Sequence, residues 1–123
     1  MKLLLSIRPE FAMKIFEGTK KYEFRKRIPK LSVSEVVVYA TSPTQKIIGE
    51  FSVNRIISGR PSSLWQKFNK YAGISRANFM KYFSGCTCGY AMEIIEPKLY
   101  KVPFNLRERY NCPPPQSFYY VER

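Results

Sequence analysis

The sequence predicts an α+β protein in which five or six short strands curl into one small mixed β-barrel flanked by about three helices. Three observations lead there. Strand-like runs outnumber helical ones, helical stripes follow the first strand and, twice, the fourth, and 123 residues suit a single domain spanning 1–123. So many short strands would leave exposed edges in a flat meander, and curling removes them. The strict alternation of strand and helix that marks a doubly wound sheet is not seen.

Residues 2–7 are a short apolar run that reads as a buried strand. Pro9 follows where a first helical turn tolerates it, and Phe11, Ala12, Ile15 and Phe16 fall at helical spacing until Gly18, free to take positive φ, ends the helix. A strand closed by Ile28-Pro29 comes next. The β-branched run from Ser34 to Thr41 predicts a central strand, and Ser42-Pro43-Thr44 is its turn. Lys46 to Ile57 is a long strand in which Gly49 marks a bulge or a close backbone approach. After the break at Ser58-Gly59-Arg60-Pro61, Ser62 or Ser63 can cap a helix that carries Leu64, Trp65, Phe68 and Tyr71 and closes at Gly73. Ser75 caps another, with Phe79, Tyr82 and Phe83, that ends near Gly85. Gly89 to Glu96 is strand-like, Tyr100 to Phe104 a short edge strand, Asn105 to Arg109 a helical turn, and Ser117 to Val121 a last strand entered through three prolines.

The net charge is +12, yet 45% of the residues are hydrophobic, which is too apolar for a disordered basic tail. The chain should fold and should attract polyanions. Residues 1–30 hold nine cations against three Glu, and residues 61–90 hold four cations and no acid, so the field is uneven and favours a binding face. RNA or a nucleotide is the expected partner, and DNA is the other polyanion that charge alone admits.

Absences narrow the chemistry. The chain has no His and no Asp, so neither a Ser-His-Asp nor a Cys-His apparatus can be built. Cys86, Cys88 and Cys112 fall one ligand short of a structural zinc site, and neither a metal nor a cofactor is expected. The odd cysteine count points to a reduced, cytoplasmic protein with free thiols. Met1-Lys2-Leu3-Leu4-Leu5 opens like a signal peptide, but Arg8-Pro9-Glu10 interrupts it, and no stretch is apolar enough to span a membrane.

The block from Gly18 to Arg27, G-T-K-K-Y-E-F-R-K-R, carries five cations and one carboxylate in ten residues. Extended geometry sends Tyr22 and Phe24 to one side of the strand and Lys21, Glu23, Arg25 and Arg27 to the other. One side can pack; the other can hold an anion. Lys20, Arg25 and Arg27 can neutralise phosphate oxygens, while Glu23 can accept from an exocyclic amine of a base. The plainer reading is that Glu23 pairs with Arg25 or Lys20 on a surface, where such pairs contribute about 0–1 kcal/mol. Trp65 can be core or a stacking platform at a cleft mouth. Tyr39 and Ser42, near the end of a central strand, can pack or meet a ligand, and Gln116-Ser117 can read polar edges or satisfy their own loop.

Ser6-Ile7-Arg8-Pro9, the Gly18-x-Lys20-x-x-Glu23-x-Arg25-Lys26-Arg27 block, Val37 to Pro43, Ile48-Gly49-Glu50-Phe51 and Pro115-Gln116-Ser117-Phe118 together resemble an ASCH domain, of the PUA-like superfamily. The resemblance spans nearly the whole chain. It implies a pseudo-barrel with a cleft between the first helix and the barrel that holds RNA or a nucleotide, and it places Lys20 on the family's cleft lysine. Arg8, Lys20, Glu23, Arg25, Arg27, Tyr39, Ser42, Trp65, Gln116 and Ser117 are the expected binding residues. The family takes its name from a transcription coactivator, so a regulatory RNA- or nucleotide-binding module is the first expectation. The second is a small hydrolase, either an amidohydrolase of acetylated cytidine or a ribonuclease, with Lys20 and Glu23 as acid and base. In the amidohydrolase relatives a Thr nucleophile stands three positions after the lysine. Here Glu23 stands there and Thr19 precedes Lys20, which speaks against that particular hydrolysis.

Overall fold

A computed structural model describes residues 1–30 and 33–122. Its first strand, β1 (Lys2–Ile7), buries Leu3, Leu4 and Leu5 almost completely, because both sides of it are covered. Leu3, Leu5 and Ile7 face helix α1 (Pro9–Glu17), and Leu4 faces the opposite side, as the two-residue period of a strand requires. Pro9 occupies the first turn of α1, where its missing N–H costs nothing. Ala12 and Ile15 seat the helix on the sheet, and Gly18 ends it at φ 88°, its N–H donating to the Ile15 carbonyl at 3.2 Å.

Three more strands follow: β2 (Tyr22–Arg25), β3 (Glu35–Ala40) and β4 (Lys46–Gly59). Helices α2 (Pro61–Phe68) and α3 (Arg76–Tyr82), joined through a 3-10 turn at Asn69–Tyr71, form a cap before β5 (Gly89–Phe104). Helix α4 (Leu106–Tyr110) and β6 (Phe118–Val121) complete the chain. The six strands make one mixed sheet in the order β2-β5-β4-β3-β1-β6, in which β1 and β3 are parallel and every other pair is antiparallel. The sheet curls into a half-barrel, the mixed barrel-like architecture expected from the sequence, with four helices in place of about three.

Gly49 is the close approach anticipated in β4. A Cβ there would lie 2.5 Å from Cζ of Phe16 and 2.6 Å from the Lys98 carbonyl, and the β3–β4 register slips beside it. Ser75 caps α3 as expected, accepting from the Asn78 N–H at 3.1 Å.

Two local expectations are revised. The segments 89–96 and 100–104 are one continuous strand, because Glu96 (φ 53°) and Pro97 together oppose Phe51 alone. This bulge absorbs the residue that cannot donate to the ladder. Ser62 and Ser63 do not cap α2: the cap position is Arg60, which makes no side-chain bond, and Pro61 opens the helix.

Three apolar clusters hold these elements. An aliphatic one lies between α1 and the sheet, a second around Leu4, Val37, Tyr39 and Ile47 lies under α4, and an aromatic third joins β2 to the cap.

Candidate nucleic-acid site

The left-handed turn at Gly18 drops Lys20 into the seam between α1, β2 and the cap. Lys20 is 3% exposed, and its Nζ donates to the Ala72 carbonyl at 2.6 Å. The rings of Phe11 and Phe24 lie 5.7 and 5.2 Å away, and Oε1 of Glu23 lies at 3.7 Å. Burial pulls the pKa of the ammonium below its ordinary value against the attraction of Glu23, and Arg25 and Lys14 lower it further.

The carbonyls of residues 71–73 form the roof of this seam. The Tyr71 carbonyl accepts from the Lys21 N–H at 2.8 Å, the Ala72 carbonyl from Lys20 Nζ, and the Gly73 carbonyl from Lys14 Nζ at 3.3 Å. Gly73 is required where it stands. Its φ is 66°, and a Cβ would fall 2.6 Å from Cβ of Lys20.

On β2 the alternation reads as predicted. Tyr22 stacks on Phe68 at 4.3 Å and Phe24 meets Phe79 edge-on at 4.9 Å, which turns Glu23 and Arg25 to the other face. Glu23 is 7% exposed, and its Oε2 accepts from Arg25 Nε at 3.0 Å and lies 2.9 Å from Arg25 Nη2. Arg25 Nη2 also donates to the Ser6 carbonyl at 2.9 Å, and Nη1 donates to Ser117 Oγ at 3.3 Å. Ammonium, carboxylate and guanidinium thus form a chain running from the buried seam to an exposed serine. Only Nη1 meets a hydroxyl, the partner that an incoming anion could most readily replace.

The structure therefore brings Lys20, Glu23, Arg25 and Ser117 together. Arg8 and Arg27 are exposed, Arg8 lying 4.0 Å from Glu10, and Gln116 is exposed beside Ser117. Ser42 stands in the exposed turn after β3. Tyr39 is 3% exposed in the cluster under α4, and Trp65 leans on Phe79 at 5.0 Å within the aromatic cap. A hollow of about 520 Å³ lined by Arg109, Tyr110, Cys112 and Tyr119 to Glu122 shares none of these residues.

Sequence reasoning read Gly73 as a helix-closing glycine and Tyr82 as part of a helix stripe, and missed their place beside the site. The Tyr82 hydroxyl accepts from the Lys26 N–H at 3.3 Å and its ring lies 4.8 Å from Lys26 Nζ. Burial raises the pKa of this phenol, with the Arg25 charge opposing. No local signal marks that second role, since the approach of Gly73 to Lys20 and of Tyr82 to Lys26 joins segments distant in sequence. Cys86, Cys88 and Cys112 are free thiols, and among the described residues no group of three or more His, Cys, Asp or Glu is placed to hold a metal. Among the described residues no helix is long and apolar enough to cross a membrane.

Comparison with known proteins extends this geometry. The family model for the ASCH domain matches residues 5–110. A Zymomonas mobilis protein named ASCH domain-containing ribonuclease is 32% identical over 98% of this chain and 84% of its own length. The crystal structure of ASCH from Zymomonas mobilis superposes with a TM-score of 0.91 at 32% identity, covering 99% of this chain and 88% of that one. The Zymomonas protein has also been solved as a tyrosine-to-phenylalanine and as a serine-to-alanine variant. A Ureaplasma parvum protein named large ribosomal subunit protein uL22 is 31% identical over 98% of this chain, which spans only 39% of that protein. The N-terminal domain of Staphylothermus marinus McrB shares the fold at a TM-score of 0.52 and 13% identity. With the family model matched over most of its length and a half-barrel that superposes on a solved member, the chain belongs to the ASCH domain family.

Proposed function

We propose that this protein binds single-stranded RNA at the opening of the half-barrel, with Arg25 as the group that meets phosphate and Glu23 and Lys20 as the groups that position it. The carrying observation is the chain of contacts from buried Lys20 through Glu23 to Arg25, which ends at exposed Ser117. A guanidinium held on two sides by a carboxylate and a carbonyl loses little freedom on taking an anion. Exposed Arg8 and Arg27 and a net charge of +12 supply the surrounding field. The relative named a ribonuclease makes RNA the favoured polyanion over DNA.

Fluorescence anisotropy with a labelled oligouridine tests this. Affinity should fall with log salt by about 0.7 for each phosphate contacted. Arg25→Lys keeps the charge but loses the fork, and should weaken binding about tenfold. Wild-type protein that fails to bind RNA at low salt, or an Arg25→Lys protein that binds like wild type, defeats the proposal.

A second reading, cleavage of the bound RNA, is favoured by the relative's name. Here Glu23 would serve as base and Lys20 as acid, after residues 71–73 uncover Lys20. Gel analysis of RNA incubated with wild type and with Lys20→Met decides it: product formed equally by both removes Lys20 from any chemistry.

A further inference from the structure

Between Glu50 and Glu93 the chain carries six cations and not one acid. That stretch includes the whole α2–α3 cap, so the cap has no carboxylate of its own. At its rim stands Tyr71, a residue 38% exposed. Lys21 Nζ lies 4.5 Å from the ring centroid and Lys70 Nζ 5.5 Å from it, so ammoniums from two distant parts of the sequence are held over one ring.

Their supports are rigid. The Lys21 backbone is tied at both ends, its N–H donating to the Tyr71 carbonyl at 2.8 Å and its carbonyl accepting from Ile94 at 2.9 Å. Lys14, in the last turn of α1, reaches the same rim through the Gly73 carbonyl. Lys67 is exposed in the last turn of α2. Among the described residues none of Lys14, Lys21, Lys67 and Lys70 forms an ion pair, whereas Arg8, Arg25 and Arg55 each do. The nearest acid in sequence is Glu17 for Lys14 and Glu23 for Lys21, and Glu23 is already paired with Lys20 and Arg25.

Cations gathered from separate parts of the chain, none in an ion pair among the described residues, repel one another, and a polyanion relieves that repulsion. An ammonium resting on a ring keeps its charge and can still turn N–H groups outward. We propose that Lys14, Lys21 and Lys70 around Tyr71, with exposed Lys67 four residues before that tyrosine, form a second RNA contact, a sequence-independent track for the phosphate backbone. This rests on the RNA reading above and adds a surface that the Arg25 opening does not include.

Two salt titrations, one with a short oligouridine and one with a longer one, separate the surfaces. For the longer RNA, Lys21→Ala with Lys70→Ala should lower affinity several-fold and make the log-log slope shallower by about 0.7 per lysine removed. Both side chains end at the surface, and an unchanged thermal melt checks that the fold survives. Tyr71→Leu should lower affinity less and leave the slope unaltered, because it frees the ammoniums without removing them.

If wild type and Arg25→Lys behave as proposed while the double lysine variant binds with unchanged affinity and slope, the track is refuted and the Arg25 site stands. If wild type binds no RNA, both fall. The remaining arm uses phosphatidylserine vesicles: vesicle binding lost in the lysine variant, with RNA binding intact, would assign the patch to a membrane surface and overturn the proposal.

Discussion

The half-barrel and the cap are built from different materials. Beneath α1 the buried core is mainly aliphatic around Phe51, with Leu3, Leu5, Val36, Val38 and Ile15 all at most 1% exposed. The cap is aromatic, with Phe24, Phe79 and Phe83 meeting edge-on at centroid distances of 4.9 Å. Their attachments differ as well. The half-barrel is held by ladders, whereas the cap is tied to α1 and β2 by ring contacts and by three lysines on three successive carbonyls. Burial of aliphatic surface is indifferent to charge and pH; a polar attachment is not. Stability of the whole should therefore reside in the half-barrel, and sensitivity of the site in the cap.

The sharpest way to break this contrast is a matched pair of truncations. Phe51→Ala and Phe79→Ala should each cost about 3–5 kcal/mol in chemical denaturation. Phe51→Ala should release amides throughout, while Phe79→Ala should let Lys20 and Lys21 exchange hydrogen with β3 still protected. If β3 exchanges as fast as the cap in the Phe79 variant, the two regions are one cooperative unit and the contrast is wrong.

Next in size, Gly73→Ala forces a left-handed conformation on a residue with a side chain and pushes its Cβ into Lys20. A loss of about 1–3 kcal/mol is expected by thermal melting, accompanied by weaker RNA binding. An alanine tolerated with no change would show that the roof over Lys20 is soft. Ser75→Ala removes the cap of α3 and should cost about 1 kcal/mol, with β3 exchange unaffected.

The finest effect is a slope. Because burial lowers the Lys20 pKa in the folded state, the unfolded chain binds that proton more tightly. Stability from this group therefore rises as pH climbs from the lowered value toward 10.5, and Lys20→Met should remove the rise. Tyr100, whose hydroxyl donates to Glu50 at 2.8 Å, works in the opposite direction. Burial and the Glu50 carboxylate raise its pKa above the ordinary 10.0, so its contribution is lost as pH rises beyond that value. Denaturation midpoints of wild type and Lys20→Met from pH 8 to 10 read the lysine alone. Identical slopes would mean that Lys20 titrates normally.

Much of this was legible in the sequence where the cause is local. The period of two on β2 separated Tyr22 and Phe24 from Glu23 and Arg25, Gly18 announced a left-handed turn, and Gly49 announced a crowded strand. What escaped depends on residues far apart. The ammonium of Lys20 is roofed by a carbonyl 52 positions later, and Arg25 finds Ser117 across 92 positions. Periodicity assigns a side chain to a face but does not say what stands opposite. Tyr39 shows the same limit: its alternation in β3 was readable, but the cover that α4 puts over it was not.

The curled sheet has two ends, β2 and β6, and among the described residues no ladder joins them. Arg25 spans that gap, gripping the Ser6 carbonyl of β1 and the hydroxyl just ahead of β6. A zipper opens tooth by tooth; a clasp is either shut or open. An anion that drew the guanidinium away from Ser117, as the proposed binding requires, would open the link between β2 and the start of β6, so that filling the mouth and keeping the half-barrel closed would compete for the same few donors.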